Sequence, residues 1–404
     1  MLFQLKVKGY QLLATLSKWL GKLIPVNNPI LFCGKDASLE MCDAVVQLGH
    51  KRLLLVTDEV LLNMKLTDKV IAQLTSQSIQ VSIYSGVQPD PDTKQVAQGT
   101  KTAIENHCDG VLAFGGGSSI DAAKAIAACV TNSKTAQQLA GIFKVKQAIL
   151  PLYAIPTTAG TGSEVTPAAV ISNSESHKKE VIIDPKLTPR MAALDCNLML
   201  ELPPAITAAT GVDALTHAIE AYISTNATDH TNELALSAIK LIFKLLETAV
   251  TNGKNVQARQ SMAMASYYAG MAFSRAGLGY VHAISHNIGA KYAVPHGIAN
   301  AIILPQVLDF SLPNIEDKLA NLARLTNIVD NGVSDKNAAK TFIAAVRQMI
   351  KSMGIPHYFE NLEAKDIPEL ARSALKEAHF TPYAVPKYLD QMGCENLISK
   401  MMKA

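Results

Sequence analysis

The stretch that decides the fold reads GVLAFGGGSSIDAAKAIA and spans residues 110–127. Its apolar first part has the length of a buried strand, and its alanine-rich second part has the composition of a helix. The glycines between them let an anion approach the backbone, and the N–H groups at the start of the following helix point toward such an anion. The stretch therefore predicts a strand, a phosphate-binding turn and a helix. A plain tight turn is the alternative interpretation.

Similar apolar runs surround this stretch and predict a mainly parallel sheet. We expect strands at residues 30–33, 53–57, 81–84, 110–114 and 152–155. Helical patterns lie between most of these strands, as in helix-covered parallel sheets. Residues 168–172 and 181–183 flank a turn-like segment at 173–177 and predict a hairpin.

The character of the chain changes after Leu202. Strand patterns end there, and Pro203 and Pro204 are well suited to the start of a helix. The sequence thus predicts three parts: an N-terminal amphipathic extension (1–27), an α/β nucleotide-binding domain with a mainly parallel sheet (28–202), and an all-helical metal-binding domain (203–404).

Composition narrows the class of protein. A chain of 404 residues exceeds the usual size of one hydrophobic core, so two domains are expected. The net charge of +3, the absence of a Lys/Arg block and an aromatic content of 5% argue against a nucleic-acid partner. Six cysteines without a C-x-x-C pair indicate reduced thiols in a cytoplasmic protein, and argue against a disulfide framework or a thiolate metal site.

The N-terminal extension has its own pattern. Residues 1–35 contain no Asp or Glu, and lysines punctuate apolar residues at helical spacing. The helix could lie on a membrane surface or pack on the body of the protein or on a second subunit. We favour packing, because one such helix gives only modest membrane affinity. We find neither a transmembrane segment nor the layout of a signal peptide.

A second polar loop, PTTAGTGSEVT at 156–166, follows another predicted strand. Its hydroxyls and glycines offer donors that a ribose or a diphosphate requires. Two such loops at the carboxyl ends of strands favour a nucleotide site. Asp58 ends a third strand, where a carboxylate accepts from a ribose 2'-OH and repels a 2'-phosphate, which favours NAD over NADP. A helix cap is an equally available interpretation of Asp58.

Five residues in the second half have metal-ligand spacing. Asp213 and His217 are four residues apart, as are His282 and His286, so each pair shares a helix face. His296 follows in the sequence Pro-His-Gly. One histidine on an apolar helix face is more often a hydrogen-bonded core residue, but the convergence of all five predicts a metal site. Mixed nitrogen and oxygen ligands suit Fe(II), Zn, Ni or Co. Spacing alone does not say which of the five bind.

Four motifs together closely resemble the iron-containing (group III) alcohol dehydrogenase family, over about residues 28–400. They are FGGGSSID (114–121), IPTTAGTGSEVT (155–166), ATGVDALTHAIEAY (209–222) and HAISHNIGAKYAVPHGIANAIILP (282–305). The resemblance implies the dehydroquinate synthase-like fold, with an α/β and an all-helical domain. It also implies a homodimer that transfers hydride between a small primary alcohol and NAD with a divalent metal, foremost Fe(II).

The resemblance also implies roles for individual residues. It gives the metal ligands as Asp213, His217, His282 and His296, and gives proton transfer to His286. It gives the NAD contacts as Asp58 for the ribose, Gly116, Gly117 and Ser118 for the diphosphate, and Thr157, Thr158, Thr161, Thr166 and Lys179. Asp90 stands where the family often has asparagine, which weakens the case for a cofactor contact there. We interpret Glu220 as an outer partner of the ligands or a structural residue.

Other activities remain open at this point. They are a glycerol dehydrogenase-like polyol oxidoreductase, a dehydroquinate synthase, a hydroxyacid-oxoacid transhydrogenase, and a binding or sensing protein without turnover. The intact ligand set favours a simple alcohol dehydrogenase. The lack of a basic cluster near these motifs, which a phosphorylated or carboxylated substrate would need, favours it as well.

Overall fold

The computed structural model describes residues 2–21, 27–175, 178–381 and 383–403. The chain forms two compact units, one of Pro25–Leu202 with Gly253–Tyr267, and one of Met1–Ile24, Pro203–Asn252 and Tyr268–Ala404. Residues 253–267 thus group with the α/β unit, although they follow the start of the helical part in sequence. Residues 1 and 22–26 of the N-terminal extension and 176–177 of the predicted hairpin turn lie outside the described residues.

Nine strands occur in the described part of the α/β unit. They are β1 (Ile30–Cys33), β2 (Arg52–Val56), β3 (Gln80–Tyr84), β4 (Gly110–Gly115), β5 (Gly141–Ile142), β6 (Leu152–Pro156), β7 (Ala168–Ser172), β8 (Lys179–Ile183) and β9 (Met191–Leu194). Six of them form a parallel sheet in the order β1-β9-β6-β4-β2-β3. The other three form a small sheet in which β7 and β8 make the predicted antiparallel pair.

The helices of the described residues follow in chain order. They are α1 (Leu2–Gly21), α2 (Ala37–Gln47), α3 (Glu59–Asn63), α4 (Asp68–Ser76), α5 (Thr93–Glu105), α6 (Gly117–Asn132), α7 (Ala136–Leu139), α8 (Pro204–Ile223), α9 (Asp229–Thr251), α10 (Val256–Ala276), α11 (Tyr280–Tyr292), α12 (His296–Leu325), α13 (Asp335–Ser352), α14 (Ile367–Phe380) and α15 (Gln391–Ser399). The predicted fold class, a mainly parallel α/β part and an all-helical part, is confirmed.

The parallel sheet is buried on both faces. Leu54 and Val56 of β2 belong to one hydrophobic cluster, and Leu53 and Leu55 of the same strand belong to another. Successive side chains of a strand point to opposite faces, so each face of β2 is covered by its own core. This burial explains why the strands are continuous apolar runs without a polar alternation.

The N-terminal helix α1 packs on the helical unit through one face. Tyr10 lies against His379 of α14, with ring centroids 4.4 Å apart, and against Tyr388 at 5.9 Å. Ala14, one turn further, is buried, whereas Leu12 and Leu13 are exposed. Packing on the body of the protein, the interpretation favoured from the sequence, is therefore what the described part of α1 does.

Among the residues that the structure describes, one helix, α12, is long and apolar enough to cross a membrane by length and composition. The apolar runs of the sequence predicted no transmembrane helix. Of an apolar stretch of 18 residues in this helix, 61% is buried within the protein, as in the core helix of a soluble protein. The helix is therefore weak evidence for a membrane span.

The packing of α1 yields a prediction about stability. Replacing Tyr10 by alanine removes two ring contacts, each worth about 0.5–1.5 kcal/mol. We expect Tyr10→Ala to lower the free energy of unfolding by about 1–3 kcal/mol in urea titrations. Leu12→Ala, on the exposed face of the same helix, is the matched control and should change it little. Equal losses from both variants would contradict the packing described here.

Candidate metal centre and nucleotide loops

Three neighbouring strands deliver the predicted nucleotide-binding residues to one edge of the sheet. The order β6-β4-β2 places the loop after each strand beside the next, and Gly115 pairs with Pro156 at the ends of β4 and β6. Asp58 follows β2, residues 116–118 follow β4, and residues 157–161 follow β6. The carboxyl ends of these strands therefore bring the loops together, as in dinucleotide-binding sheets.

The loops after β4 and β6 approach each other so closely that a side chain at Gly117 does not fit without a shift of Thr161. A Cβ added to Gly117 would lie 2.7 Å from Cγ2 of Thr161, and one added to Gly115 would lie 2.5 Å from Oγ of Ser119. Gly116 is the residue that caps the N-terminus of α6. The helix start predicted from the sequence is therefore present, and anion binding by the backbone N–H groups of its first turn stays a prediction.

Asp58 and Lys179 each have a partner within the α/β unit. Oδ1 of Asp58 accepts a hydrogen bond of 2.9 Å from the backbone N–H of Leu61, so Asp58 caps α3. Nζ of Lys179 lies 2.7 Å from Oδ1 of Asp90, the residue that departs from the family pattern. The structure thus shows the helix cap, one of the two interpretations of Asp58 from the sequence. The ribose contact, the other interpretation, stays a prediction.

A buried lysine of α6 holds the loop of residues 157–166 in place. Nζ of Lys124, on α6, donates to Oγ of Ser163 at 3.0 Å, to Oγ1 of Thr166 at 2.9 Å and to the carbonyl of Ala168 at 2.7 Å. Oδ1 of Asp121 accepts from the same serine hydroxyl at 2.5 Å. Thr166, predicted as a cofactor contact, is buried and held by this lysine.

Burial shifts the acid–base properties of this network. It lowers the pKa of Lys124 to about 8, an effect that the nearby carboxylate of Asp121 opposes. Burial likewise raises the pKa of Asp121 and raises that of Glu164 to about 7. Removing one partner would leave the others buried and uncompensated, so the network holds the loop of residues 157–166 against α6.

In the helical unit, three predicted ligands converge. One ligand atom from each of Asp213, His217 and His282 lies within 4.8 Å of the others, and all three residues are buried. Asp213 and His217 are one turn apart on α8, and His282 comes from the first turn of α11. The ring of His217 is stacked between those of Phe273 and His282, at 4.3 and 4.6 Å.

The first-turn histidine of α11 is oriented by Glu220. Nδ1 of His282 lies 2.6 Å from Oε2 of Glu220, which also accepts from the backbone N–H of Gly279 at 2.9 Å. Oε1 accepts from Val281 N–H at 2.8 Å. A Cβ at Gly279 would lie 2.7 Å from the carboxylate, so this approach requires glycine. The hydrogen bond leaves Nε2 of His282 as the ligand atom.

His296 and Asn300, one turn apart on α12, complete this cluster. Nε2 of His296 lies 3.6 Å from Oδ1 of Asp213. The Nδ2 amide nitrogen of Asn300 lies 2.7 Å from that oxygen, 3.1 Å from Nε2 of His296 and 3.2 Å from Nε2 of His282. An amide nitrogen has two hydrogens for these three acceptors.

The chemistry of this donor set fits a divalent cation. Burial lowers the pKa of His282 well below its ordinary value, so its imidazole is neutral and offers a lone pair. Asp213 offers a carboxyl oxygen and the histidines offer ring nitrogens, which are the ligand atoms that divalent transition metals bind. Burying such groups is unfavourable unless a charge or donor satisfies them. A cation held by Asp213, His217, His282 and His296 would do so.

His286, the fifth candidate, has a different environment. Its ring stacks on that of His296 with centroids 5.2 Å apart, and its Nδ1 lies 2.7 Å from Oε1 of Glu377 on α14. Its side chain is 21% exposed, compared with 1% for His282. The structure therefore brings all five predicted residues together, but sets His286 apart by its contact and exposure.

Several residues of these sites were missed from the sequence. Asp121 and Lys124 stand inside the quoted motifs and could have been noticed as charges on an apolar, alanine-rich helix. Asn300, on the face of α12 that carries His296, could have been found by its i+4 spacing. Glu377 gave no signal, because its partner His286 lies 91 residues away in sequence.

Known proteins are similar to both the α/β part and the helical part of this chain. A family model described as iron-containing alcohol dehydrogenase matches residues 28–196, and one for the C-terminal part of the Fe-containing alcohol dehydrogenase family matches residues 207–402. The chain is 39% identical over 351 residues to an NAD-dependent methanol dehydrogenase of Bacillus methanolicus, covering 86% of this chain and 92% of that protein. It is 41% identical over 352 residues to a 1,3-propanediol dehydrogenase of Klebsiella pneumoniae, covering 86% and 91%.

A solved structure is similar over nearly the full length. The crystal structure of a 1,3-propanediol oxidoreductase superposes with a TM-score of 0.90 at 38% identity, covering 94% of this chain and all of that one.

The lysine network yields a prediction about the nucleotide loops. Lys124→Met keeps the bulk of the side chain but leaves Asp121 buried beside an apolar group. Breaking a buried pair in this way typically costs about 3–5 kcal/mol. We therefore expect a loss of stability of that order and weaker NAD binding, measured by urea unfolding and by calorimetric titration. Lys134→Met, just after α6, is the exposed control. Unchanged NAD affinity in a folded Lys124→Met protein would contradict the role given to the network.

The Glu220 contact yields a prediction about metal affinity. Glu220→Gln removes the charge that holds the Nδ1 hydrogen of His282, and outer partners of this kind typically contribute about 10- to 100-fold to metal affinity. We expect a loss in this range, measured by competition with a chelator. Glu233→Gln, on the exposed face of α9, serves as the control. Metal retention equal to that of the control would show that Glu220 does not support the ligand.

Proposed function

Because the chain belongs to the iron-containing alcohol dehydrogenase family, we propose that it transfers a hydride between a small primary alcohol and NAD with a divalent metal. The observation that carries this proposal is the buried cluster of Asp213, His217 and His282, whose ligand atoms lie within 4.8 Å of one another. A neutral imidazole oriented by Glu220 and a carboxylate at this spacing are suited to bind a cation. A cluster with a mainly structural role would not need both the oriented imidazole and the carboxylate.

We assign the ligands as Asp213, His217, His282 and His296. When bound, the cation supplies the Lewis acidity that makes an alcohol hydroxyl easier to deprotonate, and the nicotinamide supplies a hydride acceptor. Four protein ligands that must leave room for substrate suit an ion that accepts five or six ligands. We therefore propose Fe(II), with Zn, Ni and Co as the alternatives.

We assign proton transfer to His286. It stacks on His296, and its side chain is 21% exposed, so it can take the hydroxyl proton of the alcohol and release it to water. His282, which is 1% exposed, has no such route. The burial of His282 and the partial exposure of His286, the next histidine along α11, thus support separate roles for the two.

We assign NAD binding to the loops after β2, β4 and β6. The N-terminus of α6 at Gly116, Gly117 and Ser118 suits the diphosphate, and the hydroxyls of Thr157, Thr158, Thr161 and Thr166 line the adjoining loop. Asp58 is assigned to the ribose and Lys179 to a further cofactor contact. Thr166 and Lys179 also hold Lys124 and Asp90, respectively, so both act from fixed positions.

We propose a small, uncharged alcohol or aldehyde as substrate. Methanol and 1,3-propanediol are named for two relatives at about 40% identity. The free thiols of all six cysteines are consistent with a reducing, cytoplasmic compartment. The homodimer implied by the family resemblance stays a prediction.

The decisive experiment begins with metal-free protein. We would prepare it anaerobically, add each of Fe(II), Zn, Ni and Co, and follow NADH absorbance with a panel of primary alcohols. Metal-dependent NADH formation from one alcohol supports the proposal, and it excludes a transhydrogenase, which needs a second substrate to accept the hydride. NADH formation without added metal would refute it.

Two substitutions separate the roles of the histidines. We expect His217→Ala to lose metal and activity together, because a buried ligand is removed. His286→Ala should retain metal and lose about 10²–10⁴-fold in kcat, the usual contribution of a general base. Elemental analysis and steady-state kinetics measure both. A metal-free His217→Ala protein with full activity would exclude the scheme.

A further inference from the structure

We propose that Glu377 is a positioning residue for proton transfer, which holds His286 in one orientation and one tautomer. The inference rests on the proposed function, because it concerns the histidine that we assign as proton acceptor. It adds a residue that neither the motifs nor the spacing of the sequence brought forward.

The contact between the two side chains is direct. Nδ1 of His286 lies 2.7 Å from Oε1 of Glu377, within the range of a strong hydrogen bond to a carboxylate. A carboxylate only accepts, so the hydrogen of the pair resides on Nδ1. Nε2 of a neutral His286 is then the nitrogen with the lone pair, and it can take the proton of an alcohol hydroxyl.

Glu377 is itself held by two further groups. The hydroxyl of Tyr383 donates to Oε1 at 2.9 Å, and Nδ2 of Asn287 donates to Oε2 at 3.1 Å. Asn287 is in turn fixed by the carbonyl of Ala283, one turn back on α11, at 2.8 Å. Three donors, two from α11 and one from the segment after α14, therefore leave the carboxylate little freedom to turn.

The helix α11 carries a second pair of the same kind, and the comparison separates their roles. His282 and Glu220 are almost fully buried, with 1% and 2% of the side chains exposed. His286 and Glu377 are 21% and 25% exposed. A ligand benefits from exclusion of water, whereas a proton carrier must exchange its proton with water. The outer pair alone meets the second requirement.

The proposed step balances within these groups. The alcohol hydroxyl gives its proton to Nε2 of His286, and bound NAD would supply the acceptor for the hydride of the carbinol carbon, so that the alcohol becomes the aldehyde. The Glu377 carboxylate stabilises the imidazolium that results and does not itself take the proton, as in other carboxylate–histidine pairs.

A double-mutant cycle tests the inference. Glu377→Ala and Glu377→Gln should each lower kcat by at least about tenfold, with little change in the KM for alcohol, and both should retain metal by elemental analysis. If Glu377 acts through His286, adding Glu377→Ala to His286→Ala should lower kcat no further. Glu369→Ala, at an exposed position of the same helix, is the matched control and should match the parent enzyme.

Two additional measurements distinguish positioning from a merely structural role. Formate at millimolar concentration should restore part of the kcat of Glu377→Ala, because a small carboxylate can replace the lost group, but should not help the double variant. Tyr383→Phe removes one donor to Glu377 and should lower kcat a few-fold. This milder change keeps the test available if Glu377→Ala does not fold.

The outcomes are distinct. If Glu377→Ala lowers kcat by the same factor in the parent enzyme and in the His286→Ala background, the inference is overturned, while the proton role of His286 stays intact. An unchanged kcat in His286→Ala would overturn both the inference and that part of the proposed function. Loss of metal from Glu377→Gln would also overturn it, because the glutamate would then support a ligand.

Discussion

The structure of the helical unit depends on one constraint, the burial of a carboxyl group and several imidazoles close together. Asp213, His217 and His282 converge within 4.8 Å in the interior, where a polar or charged group is costly to bury unless its partners or a bound charge satisfy it. The packing of α8, α11 and α12 around this cluster has to accommodate it. Gly279 allows Glu220 to reach the start of α11. Asn300 of α12 donates an amide hydrogen to Oδ1 of Asp213. The surrounding helices are shaped by ligand chemistry as much as by apolar packing.

The α/β unit has a different requirement, because polar loops must be held in place at the edge of an apolar, buried sheet. Strands β2, β4 and β6 are fully apolar where they pack, yet each ends in a polar loop. Lys124 solves part of this problem from inside α6 by donating to two loop hydroxyls and a carbonyl. A lysine is suited to this position, since its long stem crosses the apolar layer and its ammonium carries three donors.

Apolar runs were sufficient to predict the strands that matter for the site, and they failed where composition was ambiguous. Strands β1, β2, β3, β4 and β6 were anticipated within one or two residues, and so was the hairpin of β7 and β8. Strand β9 was missed because Met-Ala-Ala-Leu has the composition of a helix, and only its place between β1 and β6 makes it a strand. Strand β5 has two residues, too few for any periodicity. Burial in the sheet decides β9, whereas β5 is set by its backbone pairing with β8.

The site divides in the same way between local and distant information. Residues of one helix turn, such as Asp213 with His217, are visible in the spacing, and Asn300 could have been found from His296 by the same rule. Glu377 and Tyr383 could not, because nothing in a single sequence links α14 to α11. Spacing also treats His282 and His286 as equals, since both share one face of α11. What separates them is the depth of their carboxylate partners: Glu220 lies inside the unit, and Glu377 lies where water reaches. The chemical roles of two identical side chains, four residues apart, therefore follow from solvent access, which is a property of the folded chain alone.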